Sequence, residues 1–238
     1  MTSDAINMEK KISNIVASQL PFATAITLTK TAQKIMNDEK REMRRVFDRP
    51  TPYTTRAVFA KPANKKDMPI MSEVAFRFTA TKGTVAEGYL RPHINGGMRP
   101  VKRHERHLRA NNILREPMLT APAKDAPLDR YGNIPAGVYQ SILSELGAAA
   151  YADTNNQSIT KRSRRRKRVR GYYVARKNGR TVGVRQQTGG SSKKILNFIS
   201  PPMYQPRFDF YGVARKRVNL SLQNTFKYYL KQAIRTAK

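Results

Sequence analysis

Leu20 to Phe47 reads LPFATAITLTKTAQKIMNDEKREMRRVF, and its spacing predicts one long amphipathic helix. Phe22, Ile26, Thr29, Ala32, Met36, Met43 and Phe47 recur three, four or seven residues apart, which is the period of a single helix face. Pro21 stands where a first turn tolerates it. Lys40, Arg41, Arg44 and Arg45 put positive charge near the C-terminal end, where the helix dipole favours it. Pro50 and Pro52 in DRPTPYT then end the hydrogen-bond ladder. A second helix closes the chain in VARKRVNLSLQNTFKYYLKQAIRTA, with Val218, Leu222, Phe226, Tyr229 or Leu230, and Ala233 as its apolar stripe.

Between the helices the period changes. Arg56 to Pro62 reads as a short strand. EVAFRFTATK alternates, with Val74, Phe76, Phe78 and Ala80 facing one way and Ala75, Arg77 and Thr79 the other. A turn at Lys82-Gly83 leads to TVAEGYL in the same β region. After the Gly96-Gly97 break, a basic helical run is expected from Val101 to Leu114, then a loop in REPMLTAPAKDAPLDRYGNIPAG, rich in proline and turn residues. VYQSILSEL reads as a short helix ending at Gly147. GYYVARKNGRTVGVR reads as two β runs joined at Asn178-Gly179, the strongest short hairpin signal. QQTGGSSKK is expected as a flexible loop, ILNFI as a strand and SPPMYQPRFDFYG as a proline-rich crossing. The whole is an α+β fold: N- and C-terminal helices packed on a small antiparallel sheet, with extended loops or arms. The expected division is an arm at 1–19, helix plus strands at 20–90, an irregular insertion at 91–160, and a basic hairpin region with the closing helix at 161–238.

Charge sets the expected function. Lys and Arg number 46 against 16 Asp and Glu, a formal net charge of +30 in 238 residues. A chain so charged repels itself, so a polyanion or an acidic partner is expected to neutralise it. There is no cysteine, which excludes disulfides, thiolate metal sites and a cysteine nucleophile. The N-terminus lacks the cationic and apolar regions of a secretory signal. No window reaches the roughly 18–20 apolar residues of a membrane span, so a soluble protein is expected.

Catalytic chemistry finds little footing. His104 and His107 share a helix spacing, but Lys102, Arg103, Arg106 and Arg109 crowd them and only Glu105 could join them as a ligand. His93, beside Pro92, reads as a loop or interface residue. Asp125, Asp129, Asp153 and Asp209 are scattered through loops without a paired spacing for acid–base or two-metal work. Neither a nucleophile elbow nor a glycine-rich phosphate motif occurs. The reading is a non-enzyme with no cofactor and no metal.

The outstanding feature is KRSRRRKR: Lys161, Arg162, Arg164, Arg165, Arg166, Lys167 and Arg168, followed by Arg170. From Thr154 to Phe208 there is no acidic residue. Adjacent cations cannot satisfy one another, so these residues are the expected contact for phosphates or for an acidic protein. Tyr172 and Tyr173 follow, with base stacking and strand core both open to them.

A resemblance adds a setting. LPFATAITLTKTAQKIMNDEKREMRRVFDRPTPYTTRAVFAKPANKKD (Leu20–Asp67) resembles the opening of bacteriophage minor tail proteins of the tail-completion class, the minor tail protein Z-like group. There, an Ala-rich helix of the form PFAxAxxLxxTA precedes a basic segment and a β region. FDRPTPYT followed by FAKPA is the most particular part. YLRPHINGGMR and LDRYGNIPAG also look like phage structural segments, and the likeness extends loosely over most of the chain. The resemblance implies a structural virion protein at the head–tail junction, assembled in the host cytoplasm. It would form a homo-oligomeric ring between the portal or adaptor and the tail, around the channel holding the DNA end. Adaptor, tail-completion and other neck roles all stay open. The alternative is a nucleic-acid-binding protein of other origin, ribosomal or nucleoid-like, contacting phosphates without sequence specificity.

Overall fold

The computed structural model describes residues 8–9, 12–13, 15–76, 86–148 and 171–236. Much of the expected 1–19 arm, residues 77–83 of the second strand and its turn, and the basic run Lys161–Arg168 with Arg170 lie outside them. In chain order the elements are α1 (Leu20–Val46), α2 (Pro52–Thr55), β1 (Val58–Lys61), β2 (Glu73–Phe76), α3 (Ala86–Asn95) and α4 (Arg103–Ala110). Then follow β3 (Leu119–Pro122), α5 (Ala136–Glu145), β4 (Tyr172–Lys177), β5 (Arg180–Thr188), β6 (Ser191–Ile199) and α6 (Phe210–Thr236). The protein is α+β. It divides into two compact units, Met1–Thr79 with Arg207–Lys238, and Ala80–Pro206. The stretch read as an insertion and the basic hairpin region therefore fall together in the second unit.

In the first unit α1 packs on α6 and on the antiparallel β1–β2 pair, whose register runs from Val58 opposite Phe76 to Lys61 opposite Glu73. The buried row of α1 is Ala23, Thr27, Thr31, Ile35, Glu39 and Met43, each four residues from the next, with Ala25 and Ala32 beside it. This differs from the expected face, and Phe22 is exposed. The reason is that α1 is covered from more than one side, so small side chains that admit a close neighbour are buried as thoroughly as large ones. Asp38 pairs with Arg217 across the two helices. Thr29 Oγ1 accepts the Ala63 backbone N–H at 2.9 Å, tying the chain beyond β1 to α1. Phe47, Phe208, Phe210 and Phe76 form a chain of ring contacts with centroids 4.9–6.1 Å apart. Burying a side chain such as Phe208 contributes about 1.5–3 kcal/mol. Asp209 Oδ1 accepts the Gly212 N–H at 2.9 Å, capping the first turn of α6.

In the second unit a four-stranded antiparallel sheet runs in the order β3-β6-β5-β4. Its core joins Leu108, Leu114, Ile142, Val184, Leu196 and Phe198. Asn178 and Gly179 have φ of 49° and 74°, the left-handed pair that a tight hairpin between β4 and β5 requires. Three local expectations are corrected. Within TVAEGYL, Ala86 to Leu90 are helical, and Ala86 and Leu90 are buried at a spacing of four; the β-prone Thr-Val start concealed this period. QQTGGSSKK is no loose loop: β5 and β6 run through it, with Thr188 opposite Ser191 and the turn at Gly189-Gly190. Its polar side chains give no alternation, so the backbone ladder carries the pairing. The proline-rich loop contains β3, an edge strand ending at Pro122, where a missing N–H costs little.

Candidate nucleic-acid interface

The basic run itself lies outside the described residues, and the residue that follows it is held. Gly171, bonded to Arg170, gives its carbonyl to the Gln187 N–H at 2.8 Å. The Tyr172 N–H then donates to Glu145 Oε2 at 2.7 Å, so the close of α5 fixes the start of β4. The cationic stretch thus feeds into the edge strand of the sheet.

That sheet carries Arg176, Lys177, Arg180, Arg185, Lys193 and Lys194 and not one carboxylate on β4, β5 or β6. Among the described residues none of the six is in an ion pair. These cations were not singled out from the sequence, although the acid-free stretch that contains them was. The two tyrosines left open there separate cleanly. Tyr172 packs against the core cluster, whereas Tyr173 is 37% exposed. Cross-strand partners share a face, and Tyr173 pairs with Arg185, which pairs with Lys194. Val174, Val184 and Leu196 form the adjacent row on the other face.

The histidine cluster resolves differently. Glu105 is fully buried and accepts Arg99 at 2.6 and 2.9 Å, the Lys102 and Thr120 backbone N–H groups at 2.7 Å each, and Thr120 Oγ1 at 2.9 Å. Burial alone would raise its pKa, but the Arg99 guanidinium and the two backbone donors bring it down to about 2. The ionised carboxylate only accepts, so the Thr120 hydroxyl donates to it. His104 Nε2, 2.8 Å from that hydroxyl, must then be the donor to Thr120. A nucleophile would need the opposite polarity, with the hydroxyl giving its proton to the imidazole. Burial lowers the His104 pKa to about 4, and its ring stacks on Tyr139 at 4.0 Å. The cluster joins the start of α4 to β3.

The scattered aspartates hold turns and ends. Asp125 Oδ2 accepts the Lys194 N–H at 3.0 Å. Asp129 Oδ1 accepts from the Tyr131 and Asn133 backbones, and Asp209 caps α6. Asp153 lies outside the described residues. His93 rests edge-on against Tyr204 at 5.0 Å, beside a bridge between Gly97 and Tyr204. Among the described residues no group of three or more His, Asp or Glu is placed to hold a metal ion, and no helix is long and apolar enough to cross a membrane. Comparison of the chain with protein-family models, curated proteins and solved structures returns no match.

Proposed function

We propose that this protein is a structural component of a tailed bacteriophage particle, at the neck or tail. Copies would form a ring, and Lys161–Arg168 with Arg170 would face packaged DNA or an acidic neighbouring ring. The observation that carries this reading is the acid-free β4–β6 sheet with its unpaired cations, continuous in sequence with the basic run. A ring multiplies each such surface by the number of subunits, and a channel filled with DNA supplies the phosphates that +30 per chain calls for. The buried Arg99–Glu105 clasp and the capping roles of Asp125, Asp129 and Asp209 support a scaffold, because the acids at hand are used to hold backbone. The same sheet favours a second reading, a nucleic-acid-binding protein outside any particle.

The test is the protein content of purified virions, by mass spectrometry and by cryo-EM of the head–tail junction. The expected result is this chain in stoichiometric, ring-forming copies. Its absence from particles, with co-purification on ribosomes or free nucleic acid instead, would overturn the first reading in favour of the second.

A further inference from the structure

We propose that the face of β4, β5 and β6 carrying Tyr173, Arg185 and Lys194 binds single-stranded nucleic acid. A base stacks on the Tyr173 ring, and Arg185 and Lys194 hold the flanking phosphates. The inference rests on the nucleic-acid-facing half of the function proposed above, and gives it a surface and a substrate class.

Five observations converge on this face. Tyr173 is 37% exposed on a sheet whose neighbouring Tyr172 belongs to the core, so the aromatic ring is presented and not merely left over from packing. Its cross-strand row continues through Arg185 to Lys194. Among the described residues the side chain of none of the three makes an ion pair or a hydrogen bond; the Asp125 carboxylate near the row is taken up by the Lys194 backbone N–H. The row beyond, Gln187 opposite Ser192, is polar. Finally, Gly171 is pinned beside Gln187, so Arg170 ends the basic run within three residues of Tyr173, at most about 10 Å of extended chain.

The chemistry selects the ligand. Exposed aromatics joined to a cationic track are how single strands are held without base readout. A duplex keeps its base faces stacked on one another and would leave Tyr173 idle. Three strands span only about 10 Å between their outer axes, a width suited to one strand. An acidic peptide would satisfy Arg185 and Lys194 but has no flat face to offer the ring.

The full chain is titrated against fluorescein-labelled dT20 and rU20 by fluorescence anisotropy, with a 20-base-pair duplex and polyglutamate as competitors. Tyr173→Leu is expected to weaken dT20 or rU20 binding about tenfold, and the tighter of the two names the sugar. Tyr173→Phe keeps the ring and should bind as the parent does. The double variant Arg185→Gln, Lys194→Gln should flatten the salt dependence by about 1.4 in logarithmic slope. Lys227→Gln with Lys231→Gln, on α6, should leave that slope and the stacking loss unchanged. Photocrosslinking with a 5-iodouracil oligonucleotide should map to Tyr173. Unfolding curves matching the parent's show that each variant is folded, and the position of the crosslink in the parent chain decides the matter if Tyr173→Leu is not. Parental affinity in Tyr173→Leu, crosslinks confined to other segments, or displacement of dT20 by polyglutamate at equal charge would each overturn the proposal. The virion test reads protein content, not affinity, so failure of the one is told apart from failure of the other.

Discussion

Each unit buries one glutamate completely, and the two are opposites. Glu105, in the second unit, spends both oxygens on Arg99, two backbone N–H groups and a threonine hydroxyl. Glu39, on α1 in the first unit, has no hydrogen-bond partner for either oxygen. Burial pushes its pKa up to about 8, helped by Glu42, Asp209 and Asp38 nearby. Identical side chains at equal burial therefore differ in charge at neutral pH: Glu39 is neutral and Glu105 ionised. Burial by itself decides only the cost of the charge; the donors within reach decide whether it is carried. The second unit has locked its acid into a clasp between α4 and β3, while the first tolerates a neutral acid in a helix interface beside Thr27 and Thr31, whose hydroxyls also lack partners.

The sharpest way to break the contrast is to make Glu105 resemble Glu39. Arg99→Met strips the guanidinium and leaves a buried carboxylate short of its countercharge. The expected loss is about 3–5 kcal/mol in urea unfolding at pH 7. An unchanged midpoint would mean that the clasp contributes nothing.

The converse change acts on Glu39. Its pKa is raised on folding, so the folded state keeps a proton that the unfolded chain releases above about 4.5. Stability should fall as pH rises from about 4.5 to about 8 and level off beyond, with a limiting slope of about 1.4 kcal/mol per pH unit. Glu105 has the other sign: its contribution is present above pH 4.5 and is lost as pH falls towards about 2. Glu39→Met removes the unpartnered acid, and should add about 4 kcal/mol at pH 8, the slope summed over that window, with little gain at pH 4. Equal gains at the two pH values would show that Glu39 is not protonated at neutrality.

The smallest effect separates charge from capping. Asp209→Ala loses the cap of α6, at about 1 kcal/mol. Asp209→Asn keeps the cap and removes one of the charges that raise Glu39, so it should leave stability near the parent's and shift the Glu39 carboxyl titration, followed by 13C NMR, downward.

The same contrast explains what could be read in advance. Acidic and basic positions were plain in the sequence, and His104, Glu105 and the scattered aspartates were all noticed there. Their partners were not. Arg99 and Thr120 lie six and fifteen residues from Glu105 in the chain, and only the packing of α4 on β3 brings them together. Tyr172 and Tyr173 could not be told apart while the register of β4 was unknown, because a slip of one residue exchanges the two faces.

From the order of residues alone came the two long helices, the Asn178-Gly179 hairpin, the α+β class and the cationic stretch. Each depends on local period, turn chemistry or charge, which neighbours in the chain dictate. Tertiary structure alone decided which face of α1 is buried, that Ala86 to Leu90 are helical, that QQTGGSSKK is strand, and which tyrosine meets solvent. It also left one buried glutamate neutral and the other ionised. Those outcomes depend on which surfaces and donors approach from distant parts of the chain, and no local pattern encodes that.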